Sequence, residues 1–241
     1  NQFGRLNVMD VQYRIPDLEG FLKTNVFIGE KKVDITCLDP SVSIHYTTDG
    51  SIPTLESPKY DGNLVLTETT DLTLRVFRPT GKHSDIVKTH FEKNEYSPAT
   101  TAAPSNPGLK ATWYDFKGKT CAEIAAAPVK KTYRVEDVTI PRGVKSFIIG
   151  LTYKGYINIP EDGIYSFYLS SDDGSMLYID GKQVIDNDGL HAPGEVTGQA
   201  ALKQGYHPIE VQYFDHGGGS INLKVCDNNG KEMPFTYLYA H

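Results

Sequence analysis

Apolar residues at every second position run through the later half of this chain and leave it little choice but a β-sheet. Tyr165, Phe167 and Leu169 fall on one face of an extended segment, as do Ile209, Val211 and Tyr213, and then Ile221, Leu223 and Val225. Strand side chains alternate between faces, so each set marks a face turned to a core. Turn residues separate the sets: Glu161-Asp162-Gly163, Asp180-Gly181 and Lys203-Gln204-Gly205. Asp180-Gly181 is the strongest hairpin signal, because a two-residue turn needs residues that tolerate positive φ. Successive hairpins predict a closed or nearly closed antiparallel barrel or sandwich. One short helix is expected, where Thr120 and Glu123 have capping-box spacing before an Ala-rich turn that Pro128 stops.

The earlier half repeats the signature on a smaller scale. Val33, Ile35 and Cys37 alternate with polar residues, as do Ile44 and Tyr46, and Leu72, Leu74 and Val76. Asp39-Pro40 and Asp49-Gly50 supply turns, so a small sandwich is predicted. Between the halves lies NEYSPATTAAPSNP, residues 94–107, with three prolines among Ser, Thr and Ala and little to bury. It reads as a semi-extended linker. The expected organisation is all-β: a lead segment 1–24 too short to fold alone, a module 25–93, the linker 94–107, and a barrel or sandwich 108–241.

Charge and cysteine narrow the partners. Lys and Arg number 24 against 30 Asp and Glu, a formal net charge of -6 with no basic stripe, which argues against nucleic acid. Cys37, Cys121 and Cys226 are isolated, so no zinc or redox spacing is present, and an odd count argues against a full disulfide framework. No stretch approaches the ~18 apolar residues of a transmembrane helix. The opening Asn-Gln-Phe-Gly lacks a signal-peptide pattern, so any export signal is expected upstream.

Two runs carry a resemblance over residues 108–239. They are GYINIPEDGIYSFYLSSDDGSMLYIDGKQVIDNDG and LKQGYHPIEVQYFDHGGGSINLKV. Their order resembles the PA-fourteen domain family of glycosidases and adhesins. IHYTTDGSIPTLESPKY with LTLRVFRPTGKHS is similar to the chitobiase/β-hexosaminidase C-terminal type, an immunoglobulin-like sandwich. The lead RLNVMDVQYRIP resembles the segment following the catalytic barrel in bacterial family-twenty β-N-acetylhexosaminidases. Together these imply a parent enzyme acting on N-acetylhexosaminides, whose catalytic domain is the partner within the parent chain. They also imply export to the periplasm, cell surface or medium.

Asp172-Asp173-Gly174 is the feature with chemistry in it. Adjacent residues of a strand face opposite ways, so their carboxylates do not normally converge. In the adhesin branch of the resembling family such a pair is joined by a cis peptide and turned toward one calcium ion. The resemblance therefore implies calcium on Asp172 and Asp173, with Asp215 as a further oxygen. Calcium takes about six to eight oxygens, so loops must supply the rest. Tyr178, His191, His216 and Gly217 are the expected ligand contacts, with a glycan containing N-acetylhexosamine as ligand. The other reading is a tight turn held by Asp side chains bonding to backbone.

Three lookalikes are set aside. Asp186-Asn187-Asp188-Gly189 lacks EF-hand spacing, and His216-Gly217-Gly218-Gly219 has no Gly-x-Ser-x-Gly beside it. Glu136-Asp137, read as part of a strand 133–138, would face opposite ways and form no paired-carboxylate site. Trp113 reads as packing. No nucleophile, base and stabiliser cluster appears, so no catalytic residue is expected. The expected function is a non-catalytic glycan-binding and positioning region. Its rival is a structural or dimerising brace that binds no sugar.

Overall fold

The alternating segments fold as strands in the computed structural model, which describes residues 15–102, 104–227, 229–234 and the backbone of 237–239. Most of the lead, residues 1–14, lies outside the described residues. The chain divides into two units, Asn1–Glu95 and Tyr96–His241. No helix among the described residues is long and apolar enough to cross a membrane.

The first unit is built on a four-stranded sheet of β1 (Thr24–Phe27), β2 (Ser43–Thr47), β3 (Thr70–Phe77) and β4 (Val87–Lys93). The order is β1-β4-β3-β2, with β1 parallel to β4 and the other pairs antiparallel. Phe27, Val33, Ile35, Leu66, Leu72, Leu74 and Phe91 form its core. The Tyr-Thr-x-Asp-Gly motif is spent on a turn. The Asp49 carboxylate accepts Ser51 N–H at 3.0 Å and Ser51 Oγ–H at 2.6 Å, and Gly50 sits at φ 80°.

The second unit is a sandwich. Its larger sheet comprises β5 (Asn106–Pro107), β6 (Leu109–Tyr114), β7 (Val129–Val135), β8 (Ile149–Ile159), β10 (Ser175–Ile179), β11 (Lys182–Asn187), β13 (Gly205–Asp215) and β15 (Tyr237–Tyr239). The main path is β7-β6-β8-β13-β10-β11, with β15 pairing both β8 and β5. The smaller sheet is β12-β9-β14, from Gly194–Leu202, Gly163–Ser171 and Ile221–Cys226. Tyr165, Phe167 and Leu169 meet Leu223 and Val225 within this sheet's inner face and close on Leu151, Tyr153, Val211 and Tyr213 of the other. Burying a Phe or Leu side chain contributes about 1.5–3 kcal/mol, so the alternation dictates which face turns inward.

The hairpin between β10 and β11 turns on Asp180 at φ 52° and Gly181 at φ 74°, as the sequence predicts. The expected helix is a 3-10 helix, Cys121–Ala126, with the capping box formed: the Glu123 carboxylate accepts Thr120 N–H at 3.0 Å. Cys121 and Ile124 pack with Phe116, Met176 and Phe214 into a second, smaller core. Burial, then the Asp188 carboxylate, push the Cys121 thiol pKa far up, so it is a packing group.

Residues 94–107 differ from the linker expectation. Ser97 N–H donates to Ala201 O at 2.9 Å and Ser97 O accepts Lys203 N–H at 3.0 Å. Thr100 N–H donates to Tyr206 O at 2.8 Å, and β5 pairs with β15. Ser97, Thr100 and β5 are thus held within the second unit through their backbone, which needs no apolar side chain and so leaves no mark in composition.

His207, fully buried in β13, ties the hairpin turn to its neighbour. Its Nδ1 lies 2.8 Å from Asp180 Oδ2 and its Nε2 lies 2.8 Å from Lys203 O. Both partners accept, so the imidazolium satisfies both. Burial pushes the pKa down, but the Asp180 carboxylate and the Lys203 carbonyl outweigh it and the pKa is raised. A raised folded-state pKa adds stability that is complete below the unfolded value of about 6.5 and is lost as pH rises through the folded value. Melting temperatures of wild type and His207→Gln across pH should therefore diverge most in mild acid and converge as pH rises. A gap independent of pH would show that the ring is held neutral.

Candidate functional site

Three carboxylates meet where β9, β10 and β13 end. Asp172 and Asp173 occupy the bend between β9 and β10, and their peptide is cis. Asp215 is the last residue of β13, paired with Ile149 at the start of β8. One oxygen from each of Asp172, Asp173 and Asp215 lies within 4.8 Å of the others.

The backbone fixes each member. Asp172 N–H donates to Ser220 O at 3.1 Å, and Asp172 O accepts the Tyr213 phenol at 2.7 Å. Burial, then the Asp215 carboxylate, push the Tyr213 pKa far up, so the phenol stays a donor. The Asp173 carboxylate joins two loops, accepting His191 N–H and His216 N–H, each at 3.0 Å. Asp215 is 1% exposed and gathers the glycine loop, accepting Gly217 N–H at 2.9 Å, Gly218 N–H at 2.7 Å and Gly219 N–H at 2.8 Å. Beneath them Ser171 Oγ and Ser175 Oγ are 2.7 Å apart, and Asn187 Nδ2 donates to Ser171 Oγ at 3.1 Å.

A carboxylate offers about four lone-pair positions. Asp215 uses three and Asp173 two, while among the described residues none donates to the Asp172 carboxylate. Unspent hard oxygens on three anions fit a calcium-type cation and do not fit a soft metal.

The structure distributes the other expected contacts unevenly. His191 and Gly217 lie in the two loops that Asp173 and Asp215 hold. The His191 ring is turned to backbone, with Nδ1 2.8 Å from Ala192 O and Nε2 3.1 Å from Asn187 O. His216 Nε2 donates to Gly118 O at 2.7 Å, and the ring packs against Phe116 and Phe214. Tyr178 is not brought to the carboxylates: it stands within β10, paired with Glu210 and Gln183, because the ladder carries it along the sheet. Glu136 and Asp137 follow the end of β7 rather than lying in a strand, and both are exposed. Trp113 packs against the main core, with Lys130 Nζ 5.1 Å from its ring centroid.

Sequence reasoning missed Phe147. It is 77% exposed and would lie 3.0 Å from a Cβ on Gly218, beside the loop that Asp215 holds. Leu190, next to His191, is 51% exposed. The run Phe147-Ile148-Ile149 held a signal: adjacent apolar residues of a strand cannot all face one core.

Comparison with known proteins follows the two-unit division. The PA14 domain profile matches residues 105–237, and a profile described as Fn3 associated matches residues 33–91. A β-hexosaminidase of Porphyromonas gingivalis is 28% identical over 221 residues, 86% of this chain and 28% of that protein. An α-agarase of Thalassotalea agarivorans is 41% identical over 68 residues, 28% of this chain and 4% of that protein. The chain thus spans under a third of either relative. Among solved structures, the PA14 sugar-binding domain of an RTX adhesin is 18% identical, with a TM-score of 0.49 over 57% of this chain and all of that one.

Proposed function

The chain belongs to the PA14 domain family through residues 105–237, and from that premise we propose that it is a non-catalytic glycan-binding and positioning region whose reading face lies over Asp172, Asp173 and Asp215. The observation that carries this is the meeting of three carboxylates within 4.8 Å, one of them with no described donor. Calcium held there would supply open coordination positions for two vicinal hydroxyls of a sugar. The residues do the rest. Asp173 fixes the loops on either side, Asp215 holds the glycine loop in place, and Phe147 offers an apolar face to the ring.

The β-hexosaminidase relative supports an N-acetylhexosamine-containing glycan and a hexosaminidase parent chain. Export to the periplasm, cell surface or medium follows from such a ligand. A glycan screen with and without chelator tests the reading, with N-acetylhexosamine oligosaccharides expected to bind only when calcium is present. Binding indifferent to chelator and to Asp173→Ala would sink it.

Phe147, Ile148 and Leu190, exposed by 77%, 45% and 51%, also suit the rival brace, in which this face docks on the parent's catalytic domain. Phe147→Ala separates the two. The glycan reading expects about tenfold weaker sugar binding with the calcium response unchanged. The brace expects no sugar binding by either protein and a weaker hold on the catalytic domain in the variant.

A further inference from the structure

Away from the carboxylates, the larger sheet sets like charges side by side. Strand register places Lys110 of β6 opposite Arg134 of β7 and opposite Lys154 of β8. Like charges directly opposite one another repel, and in a chain with net charge -6 acids were at hand to separate them. One does so in part: Glu210 Oε2 lies 3.0 Å from Lys154 Nζ. Among the described residues no acid pairs with Lys110. The same face bears Tyr178, opposite Glu210, and Tyr156, opposite Pro208.

Lys110, Lys154, Tyr156, Tyr178, Glu210 and Gln212 line an open groove of about 440 Å³, within the ~300–1,000 Å³ range of small-ligand sites. Glu210 is already set in place, because its Oε1 accepts Gln212 Nε2–H at 2.9 Å while its Oε2 faces Lys154. Groups fixed in this way lose little freedom when a ligand arrives.

We propose that this groove is a second saccharide site and takes a sugar bearing a carboxylate or a sulfate. Lys110 and Lys154 face the anion, Tyr156 and Tyr178 take the apolar face of the ring, and Glu210 and Gln212 receive hydroxyls. The site shares the glycan-binding reading of the chain and needs none of its cation.

The test uses the whole chain with chelator present throughout, which removes the calcium-dependent site. Three tetrasaccharides are titrated: one containing hexuronate, one sulfated, one neutral and built of N-acetylhexosamine. An anionic probe should bind and the neutral one should not, and which anionic probe binds identifies the acid group. Added salt should weaken the binding. Lys110→Glu, at an exposed position, should weaken it tenfold or more without lowering the melting temperature, and Tyr178→Ala should also weaken it. The proposal is overturned if neither anionic probe binds, if the neutral probe binds equally, or if Lys110→Glu binds as wild type does. Calcium-dependent binding of the neutral probe alone, seen when chelator is omitted, would retain the carboxylate site and remove the groove.

Discussion

Replacing Asp173 with Ala should abolish any rise in melting temperature on adding calcium while changing the calcium-free protein far less. Two opposing effects fix this asymmetry. The carboxylate accepts two backbone N–H groups at 3.0 Å, and hydrogen bonds to a charged group contribute about 1.5–3 kcal/mol each. Without a cation, however, three anions within 4.8 Å repel, by roughly 3 kcal/mol per pair at an effective dielectric near 20. Removing Asp173 loses the first and relieves the second, so in chelator the two largely offset. With calcium the repulsion is already neutralised, and the variant loses both the loop bridge and a ligand. Stabilisation by a ligand grows as RT ln(1 + [L]/Kd), about 2.7 kcal/mol at a hundredfold excess over Kd. Melting curves at several calcium concentrations measure the difference directly. A calcium response surviving in Asp173→Ala would place the cation elsewhere on the protein.

Gly219→Ala should be nearly as damaging, while Gly217→Ala, two residues away, should be silent. A Cβ on Gly219 would overlap the Asp172 carbonyl oxygen and lie 2.8 Å from Asp172 Cβ, whereas one on Gly217 meets nothing within 4 Å. The overlapped oxygen is the acceptor for the buried Tyr213 phenol, so moving it strands that donor. Overpacking of this kind costs about 1–3 kcal/mol and an orphaned buried donor about 1–3 more. Asp172 would shift with its backbone, so both the calcium response and glycan binding should fall together. Thermal melts of the paired variants, with and without calcium, check this. Equal behaviour of the two alanines would mean that the glycine loop yields freely and does not position Asp172.

What the sequence made legible follows what side chains encode. The inward sets Tyr165, Phe167, Leu169 and Ile209, Val211, Tyr213 are periodic and became the main core. Asp180-Gly181 has the residues its turn demands and formed it. Asp172 and Asp173 stood out as a pair, and the structure sets Asp215 beside them. The unread parts are those that backbone or register decides. Ser97, Thr100 and Asn106–Pro107 dock by main-chain hydrogen bonds, which any polar sequence can make. Tyr178 looked like a loop contact until the β10–β13 register placed it opposite Glu210. Lys110, Arg134 and Lys154 lie far apart in the chain, and only the β6 pairings bring them into one row.

The pairing of β5 with β15 has a consequence for how the second unit can be used. Leu238 lies opposite Pro107 and Tyr239 opposite Asn106, so incoming and outgoing chain run side by side, about 4.8 Å apart. From β5 onward the sandwich has both ends at one edge, so it can hang from a host at a single place, with the segment held at Ser97 and Thr100 as its lead-in. It can be spliced into a surface loop of another protein by opening one peptide bond there, with little strain on either partner. The same sandwich is therefore portable: it can follow a host domain or interrupt one without rebuilding its own core.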